Sequence, residues 1–260
     1  MRPPLPDGLV VLPGTDVEAA WQRFEVFEAL HHATAVCNPM QPAEVDTVAG
    51  LLDPADGDRM IDIACGHGEL LIRTAGRADV AGVGLDLSPW VLARAARHAA
   101  ARAPEARLTW WLGDGKALPV EPWDVIACLG APWIWNGFAG TARALTARCR
   151  PGAAVAIADL VLRPGTDAAA VSEDLGTVLS LDDQHRILTE AGLGRLERIT
   201  VSTDGLADYD RRTAEGARSW AEQHPGPRAD EYLAVQQAWA EDHRRDREFL
   251  DWVVWVGRAS

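Results

Sequence analysis

The sequence predicts an α/β protein: a doubly wound, largely parallel sheet of seven strands with helical cap segments at its N-terminal and C-terminal sides. Three observations predict it. Short buried apolar runs alternate with helix-length amphipathic segments from Arg59 onward. Gly, Pro, Ser and Asp turn signals bound most of these runs. The chain has 260 residues, 48% hydrophobic and 24% charged, enough for one large domain with an inserted cap.

Residues 1–16 are rich in Pro and Gly and read as a loose arm. Asp16 opens a helical stretch, VEAAWQRFEVFEALHHA, with Trp21, Phe24, Phe27 or Val26, and Leu30 on one face. NPMQPAEVDTVAGLL breaks at Pro39 and Pro42 and resumes as a helix through Leu52. RMIDIAC is the first strand, followed by a glycine turn and the helix GELLIRTAGRA. VAGVGLD is the second; Ser88 then stands at an N-cap and Pro89 at the first position of a helix continued by WVLARAARHAAARA. LTWWLGD and WDVIACLG are the third and fourth strands, and FAGTARALTARC is a helix. AAVAIADLVL is the fifth strand, SLDDQHRILTEAG a helix ending at Gly192, LERITVS the sixth strand and LDWVVWVGRA the seventh. Sheets of this type bind ligands outside the carboxyl ends of their strands. The first strand therefore delivers Asp62 and its turn to the ligand edge.

Two segments fall outside the alternation. The chain divides into an arm and helical lid (1–43), a sheet core whose strand ends are expected to bind a ligand (44–202), a helical insert (203–249) and the last strand (250–260). In the insert, Tyr232, Val235, Trp239 and His243 recur at helical spacing after the break HPGPR. That stripe reads as a packing face, or as a lid that puts Tyr232 or Trp239 on a substrate.

Composition excludes several function classes. A net charge of -13 repels a phosphate backbone, so nucleic acid is not an expected partner. The run HRRDRE at 243–248 is interrupted by acids and reads as a solvated helix face. No segment resembles a signal peptide or could span a bilayer. Four scattered cysteines argue against a disulfide framework and for a reducing cytoplasm. Among the 11 tryptophans, most are expected to pack and a few to line an apolar pocket.

The stretch DIACGHGEL, 62–70, concentrates the chemistry. Cys65, His67 and Glu69 have no second Cys or His cluster to complete a metal site, so no metal is expected. Cys65 lacks a C-x-x-C partner, which disfavours redox chemistry. The backbone pattern is more informative: an acid at a strand end, a small-residue turn, then a helix. Small residues let the main chain approach a ligand, and the helix start offers free N–H groups. Leu71 stands where a dinucleotide fingerprint needs its third glycine.

IDIACGHGELLIRTA resembles the first motif of class I S-adenosylmethionine-dependent methyltransferases. GVGLDLSP, WLGDGKALP, WDVIACLGAPW and RPGAAVAIADL resemble the motifs that follow, in order and at normal spacing, from about Glu44 to Ser202. CNPM before the core is similar to residues of bacterial small-molecule members. The resemblance implies a Rossmann-like sheet of six parallel strands with the last strand antiparallel. It implies S-adenosyl-L-methionine as cofactor, held by a loop of Asp62, Ala64, Cys65, Gly66 and Gly68. Asp86 would accept from both ribose hydroxyls and Asp114 from the adenine amine, with Gly113 and Gly115 close by. Asp62 and the Gly130 carbonyl would meet the ammonium, and Leu87 and Leu129 would complete the cradle. Ala64 departs from the family glycine.

The expected reaction is methyl transfer to a small-molecule acceptor of bacterial specialised metabolism, driven by alignment and exclusion of water. Trp133, Trp135, Tyr232 and Trp239 are substrate-side candidates. A base is needed only for an acceptor that must lose a proton. His32 and Asp159 stand first for position and His67 next; His31, His224 and His243 are further candidates. A cyclase-type enzyme that holds the cofactor structurally, or a peptide or protein methyltransferase, is the alternative. Oligomeric state is not encoded in any motif.

Overall fold

In the computed structural model, which describes residues 2–167, 169, 171, 177–201 and 203–260, the apolar runs pair into one nine-stranded sheet. The seven predicted strands are β2 (Arg59–Ile63), β3 (Ala81–Asp86), β4 (Arg107–Leu112), β5 (Trp123–Leu129), β6 (Cys149–Leu162), β8 (Leu193–Val201) and β9 (Leu250–Ala259). Two short strands add to them: β1 (Val10–Val11) and β7 (Leu179–Ser180). Two residues are too few to show a period, which is why neither was predictable. Residues 10 and 11 are therefore not part of a loose arm. They pair with Trp111 and Leu112, and Leu12 is buried behind them.

The order is β1-β4-β3-β2-β5-β6-β9-β8, with β7 beside β6. β9 runs antiparallel to both of its neighbours, and every other pairing is parallel. The chain winds outward from β2 to β4 and restarts on the other side at β5. The crevice for a ligand therefore opens between β2 and β5.

Alternation along the strands feeds two cores. Met60, Val125 and Ala127 face one, with Leu71, Leu92 and Trp110. Ile61, Ile63, Ile126 and Cys128 face the other, with Leu145, Leu188 and Trp255. Helices α3 (Pro42–Leu52), α4 (Glu69–Ala75), α5 (Pro89–Arg102), α6 (Phe138–Thr146) and α7 (Leu181–Glu190) cover the two faces. Ser88 caps α5 by accepting from the Val91 N–H, with Pro89 at the first position.

The N-terminal stretch is two helices rather than one: α1 (Val17–Arg23) and α2 (Glu25–Leu30), broken at Phe24. The insert is a pair of helices, α8 (Thr203–Gln223) and α9 (Pro227–Asp246), separated by Gly226 at φ 143. A third apolar cluster of Ala29, Trp220, Ala229 and Tyr232 joins α2, α8 and α9. Tyr232 is thus a packing residue; its hydroxyl donates to Glu25 and its ring lies 5.1 Å from Trp220. Among the described residues no helix is long and apolar enough to cross a membrane.

Gly216 sets how closely α8 approaches α2. A Cβ there would stand 2.3 Å from the Leu30 carbonyl oxygen, and backbone cannot yield cheaply. Alanine gains about 1 kcal/mol in helix propensity, yet overpacking costs about 1–3 kcal/mol. Gly216→Ala is expected to lower the urea midpoint of unfolding; an unchanged or raised midpoint would contradict this packing.

Candidate active site

The turn after β2 is built on left-handed backbone. Ala64 has φ 58, Gly66 φ 53 and Gly68 φ 74. Glycine takes this conformation freely, whereas alanine gives up about 1–2 kcal/mol. The loop therefore holds Ala64 against its own preference. The Gly66 N–H donates to Asp86 Oδ2 at 3.0 Å, and the Ser88 N–H to Asp86 Oδ1 at 2.9 Å. Asp86 at the end of β3 is thereby tied to the turn at the end of β2.

Asp62 and Asp86 stand at neighbouring strand ends in a dry place. Burial, and then the nearby Asp86 carboxyl, push Asp62 up to about 8. Burial lifts Asp86 to about 6 against the N–H donors of Ser88 and Gly66. Asp86 has backbone donors on both oxygens but no positive charge beside it, and Asp62 has neither among the described residues, which fits a ligand that brings an ammonium and hydroxyls.

Two adjoining cavities occupy this edge. The larger is about 480 Å³ and the smaller about 50 Å³; Cys37, Asn38, Ala64, Gly66 and Leu129 line both. Asp86 and Leu87 add to one wall of the larger cavity, and Gly113, Gly115 and Gly130 to the next. Asp62, Cys65 and His67 line the smaller one. Burial raises the Cys65 thiol well above its ordinary range, so the sulfur is a packing group.

Other predicted residues lie elsewhere. Gly68 lines neither cavity; it precedes α4, and a Cβ there would stand 2.9 Å from the Trp110 ring. Asp114 Oδ1 accepts from the Lys116 N–H at 2.9 Å and caps a short 3₁₀ turn, so Gly113 and Gly115 face the larger cavity in its place. Trp133 and Trp239 line the cavity and are 61% and 39% exposed, which puts both at its mouth. Trp135 instead packs beside Arg148.

The structure does not bring the three leading base candidates to the larger cavity. His32 Nδ1 lies 3.2 Å from Arg94 and 3.6 Å from Glu28, and its Nε2 lies 3.1 Å from Gln223. That ring belongs to a polar network joining α2, α5 and α8. His67 Nδ1 donates to the Thr34 carbonyl at 3.0 Å, and burial holds the imidazole neutral. Asp159 is raised to about 6 by burial, but strand alternation turns Leu160, not Asp159, to the cavity.

Several lining residues were not assigned a role from sequence. Phe24 and Phe27 come from the lid, and Cys37 and Asn38 from the CNPM stretch. The Asn38 side-chain amide donates to the Leu129 carbonyl at 3.4 Å. Arg212 on α8 donates to the Val36 and Asn38 carbonyls at 3.1 and 3.3 Å while paired with Asp208 at 2.8 Å, fastening this loop to the insert. From the insert come Tyr209, Asp210 and His243, the last a minor sequence candidate. The Tyr209 hydroxyl donates to His31 Nε2 at 2.8 Å; burial lowers His31 to about 4, and its Nδ1–H donates to Phe27. Among the described residues no group of three His, Cys, Asp or Glu is placed to hold a metal ion.

Residues 60–152 match the family described as methyltransferase domain. The chain is 31% identical over 223 residues to 27-O-demethylrifamycin SV methyltransferase of Amycolatopsis mediterranei (strain S699), covering 76% of this chain and 79% of that protein. It is 27% identical over 221 residues to the uncharacterized protein YjhP of Escherichia coli (strain K12), covering 83% and 87%. The fold matches the crystal structure of a SAM-dependent methyltransferase from Geobacter sulfurreducens in complex with S-adenosyl-L-homocysteine. The TM-score is 0.80 at 27% identity, covering 90% of this chain and 98% of that one.

S-adenosylhomocysteine is accordingly the probe for Asp62. With its carboxyl raised to about 8, free Asp62 is mostly protonated at neutral pH. A docked ammonium favours the charged form, so binding should release a proton and tighten as pH rises toward about 8. By the same sign, the free protein loses stability as pH rises from the ordinary carboxylate range through that value. Calorimetry in buffers of different ionisation enthalpy measures the release. Asp62→Asn should abolish it and weaken binding roughly 10–100-fold. No linked proton in the wild type would remove this role.

Proposed function

The chain belongs to the class I S-adenosylmethionine-dependent methyltransferases, and we propose that it methylates a small, largely apolar acceptor of bacterial specialised metabolism. One observation carries this reading: the larger cavity adjoins the cofactor loop and is walled by rings from four separate segments. Phe24 and Phe27 come from the lid, Trp133 from the turn after β5, Tyr209 and Trp239 from the insert, and Trp252 from β9. Such a wall suits an apolar or aromatic body and excludes water from the reacting atoms. The net charge of -13 favours a small molecule over nucleic acid. The Amycolatopsis relative is named for a small-molecule acceptor of its own, 27-O-demethylrifamycin SV, which supports this reading.

The cofactor supplies a methyl group already activated on a sulfonium. This chain's residues supply position. Asp86 is the acceptor for the ribose hydroxyls, and Asp62, reached past Ala64 and Leu129, is the acceptor for the ammonium. Gly113, Gly115 and Gly130 let backbone come close without side chains. Alignment of two bound partners is worth about 7–11 kcal/mol in well-oriented cases, so the enzyme's main task is to hold the acceptor still and dry.

The test is turnover with methyl-labelled S-adenosylmethionine and a panel of apolar hydroxyl, amine and thiol compounds, following labelled product and S-adenosylhomocysteine together. Labelled small-molecule product is expected. An altered acceptor with no S-adenosylhomocysteine formed would point to a non-methylating enzyme. Trp239→Ala should raise the acceptor KM roughly 10-fold and leave S-adenosylhomocysteine affinity unchanged. An unchanged KM would take Trp239 out of the acceptor site.

A further inference from the structure

A hydroxyl acceptor must give up its proton as oxygen attacks, whereas a thiolate or free amine needs little help. His243 is the histidine among the described residues lining the larger cavity. Its Nδ1 lies 2.6 Å from Asp210 Oδ1, across the two helices of the insert. Asp210 Oδ2 in turn lies 3.6 Å from Arg247. A carboxylate accepting from Nδ1–H fixes the tautomer and leaves Nε2 with its lone pair. Among the described residues Nε2 has no hydrogen-bond partner, in contrast to His31, whose two nitrogens are both engaged. Tyr209 lies nearly parallel to the His243 ring at 6.4 Å and 26°, and Trp239 tilts toward it at 6.2 Å, so aromatic rings flank the imidazole.

We propose that His243 is the general base for a hydroxyl acceptor and Asp210 its positioning residue, which makes the enzyme an O-methyltransferase. This rests on the small-molecule methyltransferase reading above. The acceptor's hydroxyl proton passes to Nε2 while its oxygen forms the new bond to the methyl carbon. The carbon–sulfur bond breaks, and its electron pair stays on sulfur as the neutral thioether. Asp210 stabilises the imidazolium that results. His243 is 39% exposed on its side chain, so the proton can leave to solvent.

The experiment compares two phenols at about pH 8, 4-methoxyphenol, which is still protonated there, and 4-nitrophenol, which is largely ionised. His243→Ala should lower kcat on 4-methoxyphenol roughly 10²–10⁴-fold. It should lower kcat on 4-nitrophenol less than ~10-fold, with S-adenosylhomocysteine affinity retained as the check on folding. Equal loss on both phenols, or loss on neither, would overturn the proposal. Labelling confined to amines or thiols would overturn it while sparing the small-molecule reading; no labelled small molecule at all would overturn both. A readout without turnover tests the dyad: nitrogen-15 NMR should find the His243 proton on Nδ1 in the wild type and shifted toward Nε2 in Asp210→Asn. A proton on Nε2 in the wild type, or no change in the variant, would also overturn it.

Discussion

Asp62 and Asp86 leave adjacent parallel strands at the same sheet edge, and burial holds both carboxyls above their ordinary range. Two acids in a dry place repel each other and lack full solvation. Much of the surrounding loop answers that constraint. Donors from Gly66 and Ser88 reach only Asp86. To place the Gly66 N–H there, the chain turns through left-handed backbone, even at Ala64. What stays uncompensated is chiefly at Asp62. On the role proposed for Asp62, cofactor affinity and the free protein's pH-dependent stability are two sides of one desolvation.

The larger cavity depends on a different kind of contact. Its walls come from sequence-distant segments, held to one another by the small apolar cluster of Ala29, Trp220, Ala229 and Tyr232 and by polar contacts to side chains and backbone carbonyls. Arg212 grips the loop carrying Cys37 and Asn38, Gly216 lets α8 close on Leu30, and Tyr209 reaches back to His31. The polar network of Glu28, Arg94 and His32 joins the lid to α5. His31 and His32, which sequence position offered as chemical groups, therefore serve as fasteners.

That division follows how much of the molecule the sequence makes legible. Buried strands announce themselves by composition, and the acid-turn-helix stretch at 62–70 by local pattern, so the sheet and the cofactor edge could be read directly. The helix break at Phe24 and the edge strand at Val10 could not, because each is decided by what tertiary contacts offer a few residues. Among the histidines, position along the chain is a poor guide. His32 and His67 look well placed, yet their nitrogens are turned to Arg94, Gln223 and Thr34. His243 shares a helical stripe with Tyr232, which is packing. What distinguishes it is Asp210, 33 residues earlier on another helix, a pairing that no local pattern encodes.

The antiparallel return of β9 has a bearing on how the chain is made. Among the described residues β8 pairs with β9 and with no other strand, and β9 is synthesised only after the whole of α8 and α9. A nascent chain thus carries β8 as an unfinished edge while the helical hairpin emerges, and such edges are exposed to wrong pairing. Once β9 slots between β6 and β8, both ends of the hairpin are anchored in the sheet, and the roof over the larger cavity is set with them. The walls of the larger cavity are therefore completed late in synthesis, well after the residues of β2 and β3 have been made.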